Sequence, residues 1–212
     1  MKRKIIAFSL ALAIVVSSML ALPASAHEYA PGRAYRWHER GVAGSYITQA
    51  FVRINGSGMA NGFQNHYSSS LTEWNNNSGS KAFFSDRAKA SADCLIESPS
   101  TSGWVLLPGG YDAYTFIYNG YMSGLCENPI NPLSKPGGFN SGTIRSAIIH
   151  FNPSMTAYAT PEEMQYYIRH EMGHVLGLRH PDSSVSASVM FNMTKNYRTV
   201  QAHDRSDLAS FY

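Results

Sequence analysis

The chain has 212 residues, 44% of them hydrophobic and 15% charged, a balance that suits one globular domain with a real core and argues against disorder. Its formal net charge of +3 traces to Lys2, Arg3 and Lys4. Without these three the chain carries 14 basic against 14 acidic residues, and no basic stripe is legible, which disfavours nucleic acid and other polyanions as partners.

In chain order, Lys2-Arg3-Lys4, the apolar run Ile5 to Leu22 and the ending Ala24-Ser25-Ala26 read as a signal peptide over residues 1–26. Residues 27–212 are then one secreted, extracellular domain, with no further membrane segment expected. Asn61 to Asn75 carries Phe63, Tyr67, Leu71 and Trp74 at spacings of four, four and three. This is one apolar face of a helix, stopped by Asn75-Asn76-Asn77-Ser78-Gly79. Tyr111 to Tyr121 alternates as a strand with Tyr114, Phe116 and Tyr118 on one side, and Ile144 to Phe151 reads as a second strand. Thr160-Pro161-Glu162-Glu163 then announces a helix. Thr stands at the N-cap, Pro at the first helical position and Glu three residues after the cap.

That helix carries the most informative segment, His170-Glu171-Met172-Gly173-His174-Val175-Leu176-Gly177-Leu178-Arg179-His180, an H-E-x-x-H-x-x-G-x-x-H pattern. His170 and His174 are one helical turn apart, so both imidazoles project from the same face. Gly177 lies where the chain must leave the helix, and glycine takes a left-handed turn at little steric cost. Such a turn can bring His180 in as a third ligand. Zinc prefers four ligands, so three histidines leave one position for water, the catalytic rather than the structural arrangement. Three neutral imidazoles leave the full charge on the ion, which lowers the pKa of the bound water. Glu171, beside His170, is placed to take its proton as general base.

From His170 onward the chain resembles the metzincin zinc peptidases, and within them the matrixins and their small secreted bacterial relatives. Ser188-Val189-Met190-Phe191 looks like the Met-turn that forms a hydrophobic base under the zinc, with Met190 in that place. An ordinary buried Met in an apolar run is the other reading of the same residues. His203 to Tyr212 resembles the closing helix of matrixins. Asp204 matches the Asp that braces the Met-turn, and His203 stands where matrixins have another Asp. The chain departs from its relatives elsewhere. Pro181 follows the third histidine as in serralysins, and Asn192 stands where serralysins and astacins supply a tyrosine ligand. No propeptide cysteine switch is legible. Removal of the signal peptide is therefore expected to yield a competent enzyme, the alternative being that Trp37-His38-Glu39 reaches the cleft as a short inhibitory segment.

The resemblance implies an α/β (α+β) zincin fold: a twisted mixed sheet, a long packing helix, the zinc-site helix, the Met-turn and a C-terminal helix. It implies a zinc-dependent endopeptidase with His170, His174 and His180 as ligands to one catalytic Zn2+ and Glu171 as base. Gly177, Met190 and Asp204 shape the site, a protein or peptide is the substrate, and a monomer is expected. An extended substrate pairing with an edge strand is a general mode of recognition, and Tyr111 to Tyr121 is the segment assigned to it beside an equal reading as a core strand. Two other functions fit the same residues: a zinc hydrolase of cell-wall peptides, and an inactive zincin-fold binding module, against which the presence of Glu171 speaks.

Cys94 and Cys126 are the only cysteines. In an exported chain an even pair most simply forms one disulfide, with two free buried thiols as the alternative. His150 resembles a structural-zinc ligand of matrixins, but its companion ligands are not recognisable, and His27, His38 and His66 have no ligand spacing. Calcium supports many matrixins; no D-x-D-x-D-G cluster appears, so a Ca2+ requirement stays open.

Overall fold

The computed structural model describes residues 36–37, 49–98, 112–118, 143–157, 159–181, 187–191 and 199–212. It is a mixed α/β structure around a five-stranded mixed sheet. The strands in chain order are β1 (Arg36–Trp37), β2 (Ala50–Gly58), β3 (Ala82–Asp86), β4 (Cys94–Glu97), β5 (Ala113–Tyr118), β6 (Thr143–Ile144) and β7 (Ser146–Phe151). The helices are α1 (Asn61–Asn77), α2 (Pro161–Val175) and α3 (Ala202–Phe211). The main sheet runs β3-β2-β4-β7-β5; all its pairs are parallel except β5 with β7. A separate parallel pair joins β1 to β6.

Period-2 burial sets the sheet. Ala50, Val52 and Ile54 on β2, Cys94 and Ile96 on β4, and Ala147 and Ile149 on β7 face the core, with alternate residues facing out. Helix α1 lies against the core side through Phe63, Tyr67, Leu71 and Trp74, and ends two residues beyond the stretch read from its periodicity. Phe63 stacks on Phe151 with ring centroids 4.6 Å apart, tying α1 to β7. At the far end of α1 the Asn75 side chain mimics a neighbouring strand. Its Oδ1 accepts from the Phe84 N–H (2.7 Å) and its Nδ2 donates to the Phe84 carbonyl (2.9 Å), which occupies the outer edge of β3. On the other face, Phe51 and Phe83 stack in register and remain exposed. A two-point ion pair from Arg53 to Asp93, both contacts 2.6 Å, joins β2 to the start of β4.

Two expectations change. The strand read over Ile144 to Phe151 is two strands: Ile144 pairs with Trp37 in the small sheet, and the main-sheet strand begins at Ser146 after a break at Arg145. The break exists because the two halves pair with different partners, a tertiary fact that leaves no mark on local alternation. The Cys94–Cys126 disulfide is not made at its described end. Cys94 is a free thiol, fully buried on the interior strand β4 as a small core residue, and burial pushes its thiol pKa up. Cys126 lies outside the described residues. Among the described residues no helix is long and apolar enough to cross a membrane.

Candidate metal centre

Helix α2 is built to present the site. The Thr160 hydroxyl accepts from the Glu163 N–H (3.2 Å) and the Glu163 carboxylate accepts from the Thr160 N–H (2.9 Å), completing a capping box with Pro161 in the first turn. The helix packs on α1 through Trp74, whose indole N–H donates to the Arg169 carbonyl at 2.9 Å. It ends in a Schellman turn. Gly177 sits at φ 90°, its N–H donates to the His174 carbonyl (2.9 Å), and the Leu178 N–H donates to the Gly173 carbonyl (3.0 Å). Only a residue without Cβ takes this φ cheaply, so the glycine is what lets the chain double back and deliver His180.

The three histidines converge. Nε2 of His180 lies 3.0 Å from Nε2 of His170 and 3.2 Å from Nε2 of His174. The three ring centroids form a nearly equilateral triangle, 4.8, 4.9 and 5.0 Å on a side. Two rings are locked from behind: Nδ1 of His170 lies 2.8 Å from the Val189 carbonyl, and Nδ1 of His174 lies 2.8 Å from the Leu178 carbonyl. A carbonyl only accepts, so in each ring Nδ1 carries the hydrogen. Burial, with the neighbouring His180 adding to it, pushes the His170 pKa down to about 3 against the opposing pull of the Val189 carbonyl. The ring is therefore neutral and its Nε2 bears a bare lone pair, as does Nε2 of His174 when that ring is neutral. One proton on His180 could bridge to only one of these lone pairs. A cation answers all three, and this is why the donor set fits a metal ion. Among the described residues this is the one group of three His, Cys, Asp or Glu side chains close enough to hold an ion. His150, in β7, lies 5.6 Å from the Phe116 ring and is not part of such a group.

Glu171 is buried beside the cluster. Burial raises its carboxyl pKa to about 7, opposed by a hydrogen bond from Thr115. Thr115, on β5, donates from Oγ1 to Glu171 Oε2 at 2.5 Å and lies 3.2 Å from the Glu171 carbonyl oxygen. Neither Thr115 nor its reach to the site was legible from the sequence, because only the packing of α2 against β5 brings together residues 56 apart.

Beneath the cluster the Val189–Met190 turn is fully buried, with Met190 against Gly173. Asp204 holds this turn. Its Oδ1 accepts from the Ser188 hydroxyl, and its Oδ2 accepts from the N–H groups of Val189 (3.0 Å) and Gln201 (2.7 Å). Ser188 Oγ in turn accepts from the Met190 N–H at 2.9 Å. The carbonyl that orients His170 is thus fixed by a carboxylate on α3. Tyr166 adds a second tie. Its hydroxyl donates to the Phe191 carbonyl (2.6 Å) and lies 3.3 Å from Nδ1 of His170. Its position one turn before His170 is a signal the sequence did offer.

At the other end of α2, Trp37 is buried in the core. Its indole N–H donates to the Val175 carbonyl (2.6 Å), and its backbone N–H donates to the Tyr212 hydroxyl (3.2 Å), which donates to the Leu176 carbonyl (3.1 Å). Trp37 therefore packs in the core at the C-terminal end of the site helix. His38, Glu39, Asn192 and Cys126 lie outside the described residues. No protein-family model matches this chain, and no curated protein matches it in sequence.

Proposed function

We propose that this chain is a secreted zinc-dependent endopeptidase of metzincin type, matrixin-like, whose domain is a zincin fold. The observation that carries this reading is the convergence of three imidazole Nε2 atoms beside a buried glutamate that is not one of the three. The ion is assigned as zinc because an all-imidazole donor set suits a borderline ion better than Ca2+ or Mg2+, which take oxygen ligands. Tetrahedral zinc with bonds of about 2.0–2.1 Å sets its donors about 3.4 Å apart, close to the 3.0 and 3.2 Å separations at His180. The mixed sheet with one antiparallel edge strand, the helix packed on it, the site helix and the turn at Met190 supply the parts such a fold requires.

His170, His174 and His180 would hold the ion. When bound, it supplies Lewis acidity toward the scissile carbonyl and makes water acidic enough to ionise near neutral pH. Glu171 takes a proton from the attacking water and delivers it to the amine nitrogen as the peptide C–N bond breaks, so water adds across that bond and the glutamate returns to its starting state. The enclosure of Glu171 keeps it a better base than an exposed carboxylate. An extended peptide lying along the edge strand β5 would run beside the residue that holds this base.

The test is a split between metal and rate. Wild-type protein should bind one zinc, cleave an unstructured protein such as casein and lose activity to a chelator. Glu171→Gln should keep the zinc and lose at least about 10³-fold in kcat/KM, whereas each His→Ala should lose the metal as well. Active protein without stoichiometric metal, or Glu171→Gln with near-normal turnover, would overturn the mechanism.

A further inference from the structure

The glutamate at this site is held by a side chain from a different element. Thr115 lies in β5, opposite Ile149 of β7 in antiparallel register, and points inward with almost no exposed surface. Its Oγ1 is 2.5 Å from Glu171 Oε2, and no other side chain is recorded on that carboxylate among the described residues. A hydroxyl has one hydrogen, and the side-chain oxygen at this shorter distance takes it in preference to the Glu171 main-chain oxygen at 3.2 Å. Threonine is β-branched, so its χ1 is stiff and the hydroxyl direction is set by the strand backbone.

We propose that Thr115 is a positioning residue for Glu171: it pins Oε2 to the edge strand and leaves the other carboxylate oxygen to the reacting water. The proposal rests on the peptidase reading for its catalytic consequence, but the pairing itself belongs to the metal-free protein. Without the hydroxyl the carboxylate keeps its place on α2 and loses its orientation. A misplacement of about 1 Å costs on the order of 100-fold in rate. Because the hydrogen bonds of Thr115 among the described residues go to Glu171 and not to the histidines or their supporting carbonyls, metal binding should not notice its loss.

The experiment compares Thr115→Val, which swaps the hydroxyl for a methyl of similar size, with Thr115→Ser, which retains it. Thr115→Val should lose about 30- to 100-fold in kcat with KM changed less than about twofold and zinc affinity unchanged. Thr115→Ser should recover most of that loss. In the Glu171→Gln background, Thr115→Val should cost less than about threefold further, since the group it acts through is gone. Equal costs in both backgrounds, or a serine variant as impaired as the valine one, would show a structural role and overturn the proposal. Independently of activity, the full-length metal-free protein carrying 13C at the glutamate δ-carbons should show a Glu171 signal, assigned by its absence in Glu171→Gln. That signal should move in Thr115→Val and return in Thr115→Ser. If it ignores Thr115→Val, the pairing is refuted whatever the enzyme does. If it responds while wild type cleaves no peptide, the pairing stands and the peptidase reading fails.

Discussion

Gly173 sits inside the metal-site helix between the two helical histidines, and its replacement by alanine tests how the floor of the site is packed. By helix propensity alone, Gly→Ala in a helix interior stabilises by about 1 kcal/mol. A Cβ on residue 173 would, however, lie 2.1 Å from Met190 Sδ, 3.1 Å from Met190 Cε and 3.2 Å from Trp74 Cζ2. Ordinary carbon contacts fall near 3.5–4.0 Å, so the sulfur would have to retreat by roughly 1.5 Å. Met190 has little room to do so. It and Trp74 have no exposed surface, the Met190 N–H is bound to Ser188 Oγ, and the Trp74 indole is bound to the Arg169 carbonyl. Overpacking a closed core costs about 1–3 kcal/mol, and this clash belongs at the upper end. The net expectation is a loss of about 2 kcal/mol, or about 4–8 °C in Tm for a domain of this size.

The assay is calorimetric unfolding of Gly173→Ala in chelator, which removes metal linkage from the comparison. The same variant should bind zinc about 10-fold more weakly, because pushing Met190 aside displaces the neighbouring Val189 carbonyl that orients His170. A cycle isolates the cause. Met190→Ala removes the colliding sulfur, so in that background Gly173→Ala should be neutral or stabilising by up to about 1 kcal/mol. If Gly173→Ala raises Tm in the wild-type background, or costs the same with and without Met190, the packing argument is wrong.

Three further outcomes are expected. Tyr166→Phe removes the hydroxyl between Phe191 and His170, and should weaken zinc binding about 10-fold by isothermal titration; unchanged affinity would show that the Val189 carbonyl alone orients the ring. Trp37→Ala should cost about 3–5 kcal/mol in denaturant unfolding, because a buried indole and its bond to the Val175 carbonyl are lost together; an unshifted midpoint would mean that β1 is not docked on α2 in solution. His150 has its pKa lowered by burial, against a weaker raising influence of Glu97. Its unfolded form therefore takes up a proton first as pH falls below about 6.5, so the wild type should lose stability between there and the lower folded pKa, and His150→Gln should lose less over the same window. Parallel stability–pH curves for the two proteins would contradict this.

The parts of the site readable in the sequence are those governed by local geometry. His170 and His174 share a face because the helix repeats every 3.6 residues, and Gly177 marks the left-handed turn because no other residue takes that φ at low cost. The apolar face of Phe63, Tyr67, Leu71 and Trp74 was legible for the same reason, whereas the mixed α/β class was expected from the family resemblance of the motif-bearing segment. What was not legible depends on register or pairing. The two-residue strand β1 carries no periodicity, so neither its pairing with Ile144 nor the break at Arg145 could be seen. Thr115 is one of several alternating residues until β5 is paired with β7 and packed under α2, which together bring its hydroxyl to Glu171. Cysteine count suggested a bond at Cys94, whereas burial on an interior strand makes that residue a small hydrophobe.

The site's order therefore comes less from the helix that bears it than from the turns around it. Helical spacing fixes where two imidazoles emerge, but a ring on a helix retains rotamer freedom, and a metal needs nitrogen lone pairs aimed within tenths of an ångström. That aim is set by two carbonyls, one from the turn after α2 and one from the turn beneath it. Each carbonyl is itself fixed: Leu178 by the Schellman turn that Gly177 permits, Val189 by Asp204 and Ser188. The glutamate is treated likewise, held from β5 by Thr115. His170, His174 and Glu171 thus come from one helix and His180 from the turn that follows it, while their orientations come from the two turns and β5. A substitution in those elements that leaves the motif intact would then be felt as lost metal affinity when it disturbs the turns, and as lost rate when it disturbs β5.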